Sequence, residues 1–253
     1  PGDSDLVAFL SRKAAECAFP NNKDSFERIQ DNIENRIFRD TIQNEYKIQS
    51  NYPRTPLAIL TLKTVIGWPS NRTEVLDLIS QIIETSTKVD GVTGEKGLTG
   101  YGTIAPHALA DMIARFDRLG GNLLEDVYKK HPVLHDTFRF HIDTWCMEQY
   151  YPAIGDCCAF GQKVINYCGV SFARPAAGPE PSMYQFLWRL YKLTDDPAFV
   201  QALYIANDRK VDGLPHDLCS DDPEQFQKQV QEAIDKFGSE IRLGDVNKQG
   251  WHV

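Results

Sequence analysis

The sequence predicts an all-α fold made of helical hairpins, and three observations lead there. Apolar residues recur at intervals of three and four along most of the 253 residues. Proline and small polar residues stand where helices would begin, as in Thr55-Pro56 and Asp196-Pro197, and the pair Gly120-Gly121 stands where one would end. The predicted helices follow one another across short breaks, the pattern of a stack or ring of helix pairs, although no fixed-length repeat stands out.

Residues 4–17 carry Leu6, Phe9, Leu10 and Lys13 at helical spacing, and residues 24–46 place Phe26, Ile29, Ile33, Ile37 and Phe38 on one stripe. Residues 55–66 are apolar enough for a helix buried on most sides, with Pro56 in its first turn. Residues 73–85 repeat the period, with Thr73 as N-cap. After a glycine-rich break come helices over 108–119, 123–130 and 132–147, a loop over 150–156, and a further helical stretch over 160–168. Helices over 182–193 and 196–206 meet at Thr194-Asp195-Asp196, and 223–237 forms the last one. From Glu240 the helical period is lost, and Gly250-Trp251-His252-Val253 has the composition of an opening strand. A lone strand is not stable by itself. The expected organisation is therefore a helical domain over 1–239, followed at 240–253 by a linker and the first strand of a β-domain.

The chain is 42% hydrophobic, enough for a substantial core, and its formal charge of -8 argues against a sequence-independent grip on nucleic acid. A local basic cleft on an acidic body remains compatible with an anionic ligand. No apolar run approaches the ~20 residues of a membrane span. The six cysteines are too sparse for a disulfide scaffold and lack the paired spacing of a zinc site. His131 and His135 have the i,i+4 spacing of two ligands on one helix face, but no third ligand is evident, so neither metal nor cofactor is expected.

Three polar segments interrupt the helices: Ser50-Asn51-Tyr52-Pro53-Arg54-Thr55, the loop DGVTGEKGLTGYGTIAPH from Asp90 to His107, and Tyr150-Tyr151-Pro152-Ala153-Ile154-Gly155-Asp156. Five glycines in the second make it a costly way to join two helices, and long internal connections tend to be functional or disordered. It carries Glu95, Tyr101 and His107. In a ring of hairpins the loops at one end converge on a groove, which would make neighbours of Asn51, Tyr52, Arg54, Tyr101, His107 and Asp156. Such a set suits β-elimination at a uronic acid. A base takes the proton α to the sugar carboxylate, an amide or guanidinium neutralises that carboxylate, and an acid protonates the leaving glycosidic oxygen. Tyrosine and histidine can do both proton jobs when a cation or burial shifts their pKa.

The segments SNYPRTP, DG…GYGTIAPHAL, HIDTWC followed by YYPAIGD, FLWRLYKLTDDPAF and the terminal GWHV together resemble the heparinase II/III-like polysaccharide lyases, from about Arg36 to the C-terminus. The resemblance implies an incomplete (α/α) toroid truncated before an antiparallel β-sandwich domain, an acidic polysaccharide as substrate, and a secreted or periplasmic setting. It implies that Asn51 neutralises the uronate carboxylate; Arg54, by its guanidinium chemistry, can pair with that carboxylate bidentately or with a surface acid. Tyr52 stands where the family usually has a histidine, and His107 about where it has a tyrosine, with Tyr101 a competing match. The two proton-transfer groups are therefore exchanged, or the standard chemistry is lost. A further family histidine has no assignable counterpart.

Plainer roles compete for the same residues. Asn51 can cap the helix near Thr55, His107 can be structural, and Asp156 can fasten its loop rather than touch substrate. Tyr151, with Trp145, Tyr150 and Trp188, can stack on sugar rings or belong to the core. Two other functions stay open. A glycoside hydrolase needs paired carboxylates, for which Asp90, Glu95 and Asp156 are the loop candidates. A non-catalytic helical scaffold that binds glycan or protein needs none of these residues.

Overall fold

The computed structural model describes residues 3–94, 97–120, 122–157, 160–171, 179–214, 222–241, 243 and 246–251. They are all-α: no strand is formed among them, and β pairing is confined to the isolated bridges Val89–Val92 and Cys146–Tyr150. Two compact units make up the chain, residues 1–79 and 80–253.

In the first unit, α1 (Ser4–Glu16) begins where the Asp3 carboxylate accepts the N–H groups of Asp5 and Leu6 at 3.0 and 3.1 Å. Ser25 caps α2 (Phe26–Ile33), accepting from the Arg28 N–H at 3.3 Å. The chain continues through a π-helical turn, Glu34–Arg39, into α3 (Asp40–Gln43) and a 3-10 turn, Glu45–Lys47. No side chain caps α4 (Arg54–Gly67). Its entry is held by the Thr55 hydroxyl, which donates to the Ile48 carbonyl at 2.8 Å and accepts from the Ser50 N–H at 3.0 Å. The N-cap role expected of Thr73 is not filled, because α5 (Arg72–Ser86) already includes that residue.

The apolar pattern of this unit is less buried than its spacing predicts. On the stripe of the second helix Ile29 is buried, whereas Phe26 and Ile37 are each 52% exposed. In α4 the buried residues are Ile59, Leu60 and Thr64, and Val65 is 63% exposed, so the helix buries one side rather than most sides.

The second unit contains α6 (Ile104–Phe116), α7 (Leu123–Lys130), α8 (Leu134–Asp143), α9 (Pro181–Thr194), α10 (Pro197–Ala206) and α11 (Pro223–Phe237). Proline occupies the first turn of the last three, where a missing N–H costs nothing. The turn between α9 and α10 is the one the sequence marks: Asp195 takes a left-handed conformation (φ 54) and the Asp196 carboxylate accepts from the Ala198 N–H at 3.0 Å. Helix α9 packs on α10 and on α6, α10 also packs on α11 and α8, and α6 on α7. Phe138 meets Phe186 edge-on, with ring centroids 4.8 Å apart, and Leu109, Leu187, Leu190 and Phe199 are fully buried. Each such side chain contributes roughly 1.5–3 kcal/mol by leaving water.

Two expectations for this unit are corrected. Residues 160–168 are irregular rather than helical, because their polar groups find distant partners. The Trp145 indole donates to the Val164 carbonyl at 2.8 Å, the Val164 N–H to Gln149 at 2.7 Å, and the Tyr167 phenol to the Phe138 carbonyl at 2.7 Å. Gln249–Trp251 forms a 3-10 turn where a strand was expected, and His252 and Val253 lie outside the described residues. Trp251 is only 6% exposed, against Phe140 at a centroid distance of 5.7 Å. No helix among the described residues is long and apolar enough to cross a membrane.

Candidate functional site

The glycine-rich loop opens with a two-residue turn. Val89 and Val92 exchange both backbone hydrogen bonds at 2.9 Å, and Asp90 and Gly91 between them have φ of 52 and 87. Asp-Gly suits this geometry because both positions are left-handed. The Thr137 hydroxyl of α8 donates to the Gly91 carbonyl at 2.5 Å, and Asp90 Oδ2 accepts the Gly250 N–H at 2.8 Å.

Beyond it the loop packs against the segment over 150–156. Gly97 has φ of 94, and a Cβ there would sit 1.8 Å from the Asp156 carbonyl oxygen; one on Gly100 would sit 2.5 Å from the same atom. Only glycine permits so close an approach. The Leu98 N–H donates to the Ile154 carbonyl at 3.1 Å, and the Leu98 carbonyl accepts from His141 Nε2 at 2.8 Å. Gly97 O then accepts the Gly102 N–H at 2.8 Å, which closes the chain into the 3-10 turn Tyr101–Thr103 and directly into α6. Tyr101 lies on that turn and His107 in the first turn of α6; both are half-buried, and Asp156 is exposed.

Two of the three polar segments thus meet within the second unit. They bring the loop of Tyr101 and His107 against the backbone of Asp156. Asn51, Tyr52 and Arg54 belong to the first unit, at the start of α4, where Asn51 and Arg54 are exposed and Tyr52 is half-buried. Glu95 lies outside the described residues.

The sugar-stacking role given to Tyr151 is corrected by its burial. Its ring lies parallel to Trp145, at 6.1 Å and 3°, and its hydroxyl accepts from the Cys168 N–H at 3.4 Å. Burial above all pushes its phenol well above the usual range, and Trp145 is buried beside it. Both are core. Asp90 likewise serves the fold through Gly250, which leaves Asp156 as the exposed carboxylate among the described hydrolase candidates.

The histidine pair of α7 and α8 does not form a ligand pair. His131 is buried, and desolvation holds its pKa below the ordinary value. His135 Nε2 stands 2.9 Å from Asp196 Oδ2, and that hydrogen bond, more than its contact with Asp136, raises its pKa against the opposing effect of burial. No group of three or more His, Cys, Asp and Glu converges as for a metal among the described residues.

Sequence reasoning gave no role to two features. One is His141, fully buried, whose pKa falls to about 4 chiefly through desolvation. Its Nε2 carries the proton, since the Leu98 carbonyl can only accept. The other is a charged network around Asp196, which also takes Arg139 Nη1 at 3.2 Å; Arg139 holds Asp143 at 2.5 Å, and Lys248 reaches Asp143 at 3.2 Å. The i,i+4 spacing of Arg139 and Asp143 was the readable signal for it. Compared with models of known families, with curated proteins and with solved structures, the chain matches none.

Proposed function

We propose that the chain is the toroid portion of a polysaccharide lyase that cleaves a uronic-acid polymer by β-elimination. The observation that carries the reading is the packing of the glycine loop on the Asp156 segment, which fixes the loop bearing Tyr101 and His107 while leaving both side chains partly open to solvent. In this reaction a base removes the proton on the carbon α to the carboxylate. The electron pair becomes a carbon–carbon double bond, the glycosidic C–O bond breaks, and the leaving oxygen takes a proton from an acid. His107 and Tyr52 share these two proton roles, with Tyr101 in reserve. The roles of Asn51 as carboxylate neutraliser and of Tyr52 as a proton-transfer group rest on the family resemblance, that of Arg54 on the match of a guanidinium to a carboxylate, and all three are judged by substitution alone.

The test incubates the full chain with several polyuronates and follows the ultraviolet absorbance of the unsaturated uronate. The expected result is a rise that His107→Ala or Tyr52→Phe reduces by at least 100-fold, and Tyr101→Phe by less. New reducing ends without the unsaturated product point instead to a hydrolase. No cleavage of any polyuronate, with folding intact, overturns the catalytic reading and leaves the binding scaffold.

A further inference from the structure

The first unit contains a polar groove that none of the chemistry above uses. It encloses about 870 Å³ between the chain after α1 and the helix that starts at Phe26. One wall is a single helical face. Arg28, Asp31, Asn32, Asn35 and Arg36 fall at i, i+3, i+4, i+7 and i+8, opposite the apolar row of Ile29, Ile33 and Ile37. The last two of the five lie in the π-helical turn, a distortion that is frequent at functional sites. The other wall is Phe19, Asn21 and Lys23, pinned in place where the Asn21 amide donates to the Arg28 carbonyl at 3.0 Å and accepts from the Lys23 N–H at 2.9 Å.

We infer that this groove binds a carboxylated sugar chain, as a holding site separate from any cleavage. Three cations, Lys23, Arg28 and Arg36, stand against two carboxylates, Asp31 and the Asp24 that lies 3.4 Å from Arg28 Nε, which leaves the groove one cation in excess. The surroundings permit this: residues 1–79 hold 10 Lys and Arg against 11 Asp and Glu, whereas residues 80–253 hold 17 against 24. Guanidinium groups match a carboxylate in bidentate fashion. The amides of Asn21, Asn32 and Asn35 offer both donors and acceptors, which hydroxyl-rich rings need and a phosphate does not. Asp31 accepts from Asn35 at 2.7 Å and is a further acceptor for a sugar hydroxyl. Phe19 is 54% exposed, with the Lys23 ammonium 4.5 Å from its ring centroid, and offers an apolar face to a pyranose. Three cations on a chain of charge -8 are too few for a nucleic acid, whose affinity grows with each phosphate neutralised.

The test titrates the full chain, in a His107→Ala background that keeps the ligand intact, with oligogalacturonate. The readouts are calorimetry and backbone amide NMR. The expected result is shifted resonances over residues 19–36. Arg28→Gln with Arg36→Gln should weaken binding at least tenfold, Phe19→Ala several-fold, and Arg12→Gln not at all. Should the double variant lose its helical circular dichroism, Asn32→Ala with Asn35→Ala serves in its place, with the same loss expected. Neutral dextran binding as tightly, an oligonucleotide of equal charge binding more tightly, or a well-folded groove variant that binds like the parent would each overturn the inference. Binding without cleavage by the parent chain would reject the lyase reading and retain the groove.

Discussion

His141 donates from Nε2 to the Leu98 carbonyl at 2.8 Å, joining α8 to the middle of the glycine loop. The imidazole is fully buried, so the fold holds it neutral until the pH nears 4, whereas in the unfolded chain it takes up a proton near 6.5. Between those values the unfolded chain binds more protons, and stability falls as pH falls. The full difference corresponds to roughly 3 kcal/mol. Denaturant midpoints measured from pH 7 to pH 4 should show this slope, and His141→Gln should flatten it. At neutral pH the variant should cost about 1–3 kcal/mol, through the buried carbonyl it leaves unpaired.

His135 has the opposite sign. Its pKa is raised, chiefly by the hydrogen bond to Asp196, so its contribution is complete below its unfolded pKa and is lost as pH rises through the folded one. The Asp196 carboxyl is pushed up by burial but held below its ordinary value overall by His135, Arg139 and the Ala198 N–H. Asp196→Asn should lower the pKa of His135, read from its ring resonances, and destabilise the unit by about 1–3 kcal/mol as Arg139 loses a partner.

Gly97 tolerates no side chain. A Cβ 1.8 Å from the Asp156 carbonyl, on a backbone with φ of 94, combines a clash with left-handed strain. Gly97→Ala should cost about 3 kcal/mol or more in urea unfolding. If the lyase reading holds, turnover should fall in the same variant with every proposed catalytic side chain in place. Gly120→Ala is the control: nothing lies within 4 Å of a Cβ there, so the strain of its φ of 87 acts alone.

Trp251 braces the same loop from the C-terminal side. Its ring lies 3.2 Å from where a Gly102 Cβ would stand, while Gly250 bonds to Asp90 and Lys248 to Asp143. Trp251→Ala should cost about 3–5 kcal/mol, and hydrogen exchange should quicken at the described loop amides from Leu98 to Thr103. Trp251→Phe keeps a ring in place and should cost less.

What was legible in the sequence was local. Helix positions followed from apolar spacing, and the α9–α10 turn from an aspartate followed by proline, because cap and turn chemistry lie within a few residues of what they shape. What was illegible was decided by distant partners. Residues 160–168 have a helical pattern, yet Trp145, Gln149 and Phe138 take up their polar groups. Trp251 reads as strand by propensity, yet burial against Phe140 sets its conformation. The row from Phe26 to Ile37 follows from spacing, which speaks to a shared face and not to how fully that face is covered. Of the candidate site, the glycine loop and the segment ending at Asp156 were readable as interruptions, but nothing along the chain announces that Gly97 and Asp156 touch.

That contact ties the fate of two remote stretches of sequence together. A relative that fills position 97 has to retract the chain at 156, and one that shortens the second stretch frees the first to vary. Across descendants of this protein, substitutions at the two places should therefore arrive as pairs, and a loop transplanted without its counterpart should not settle into the same shape.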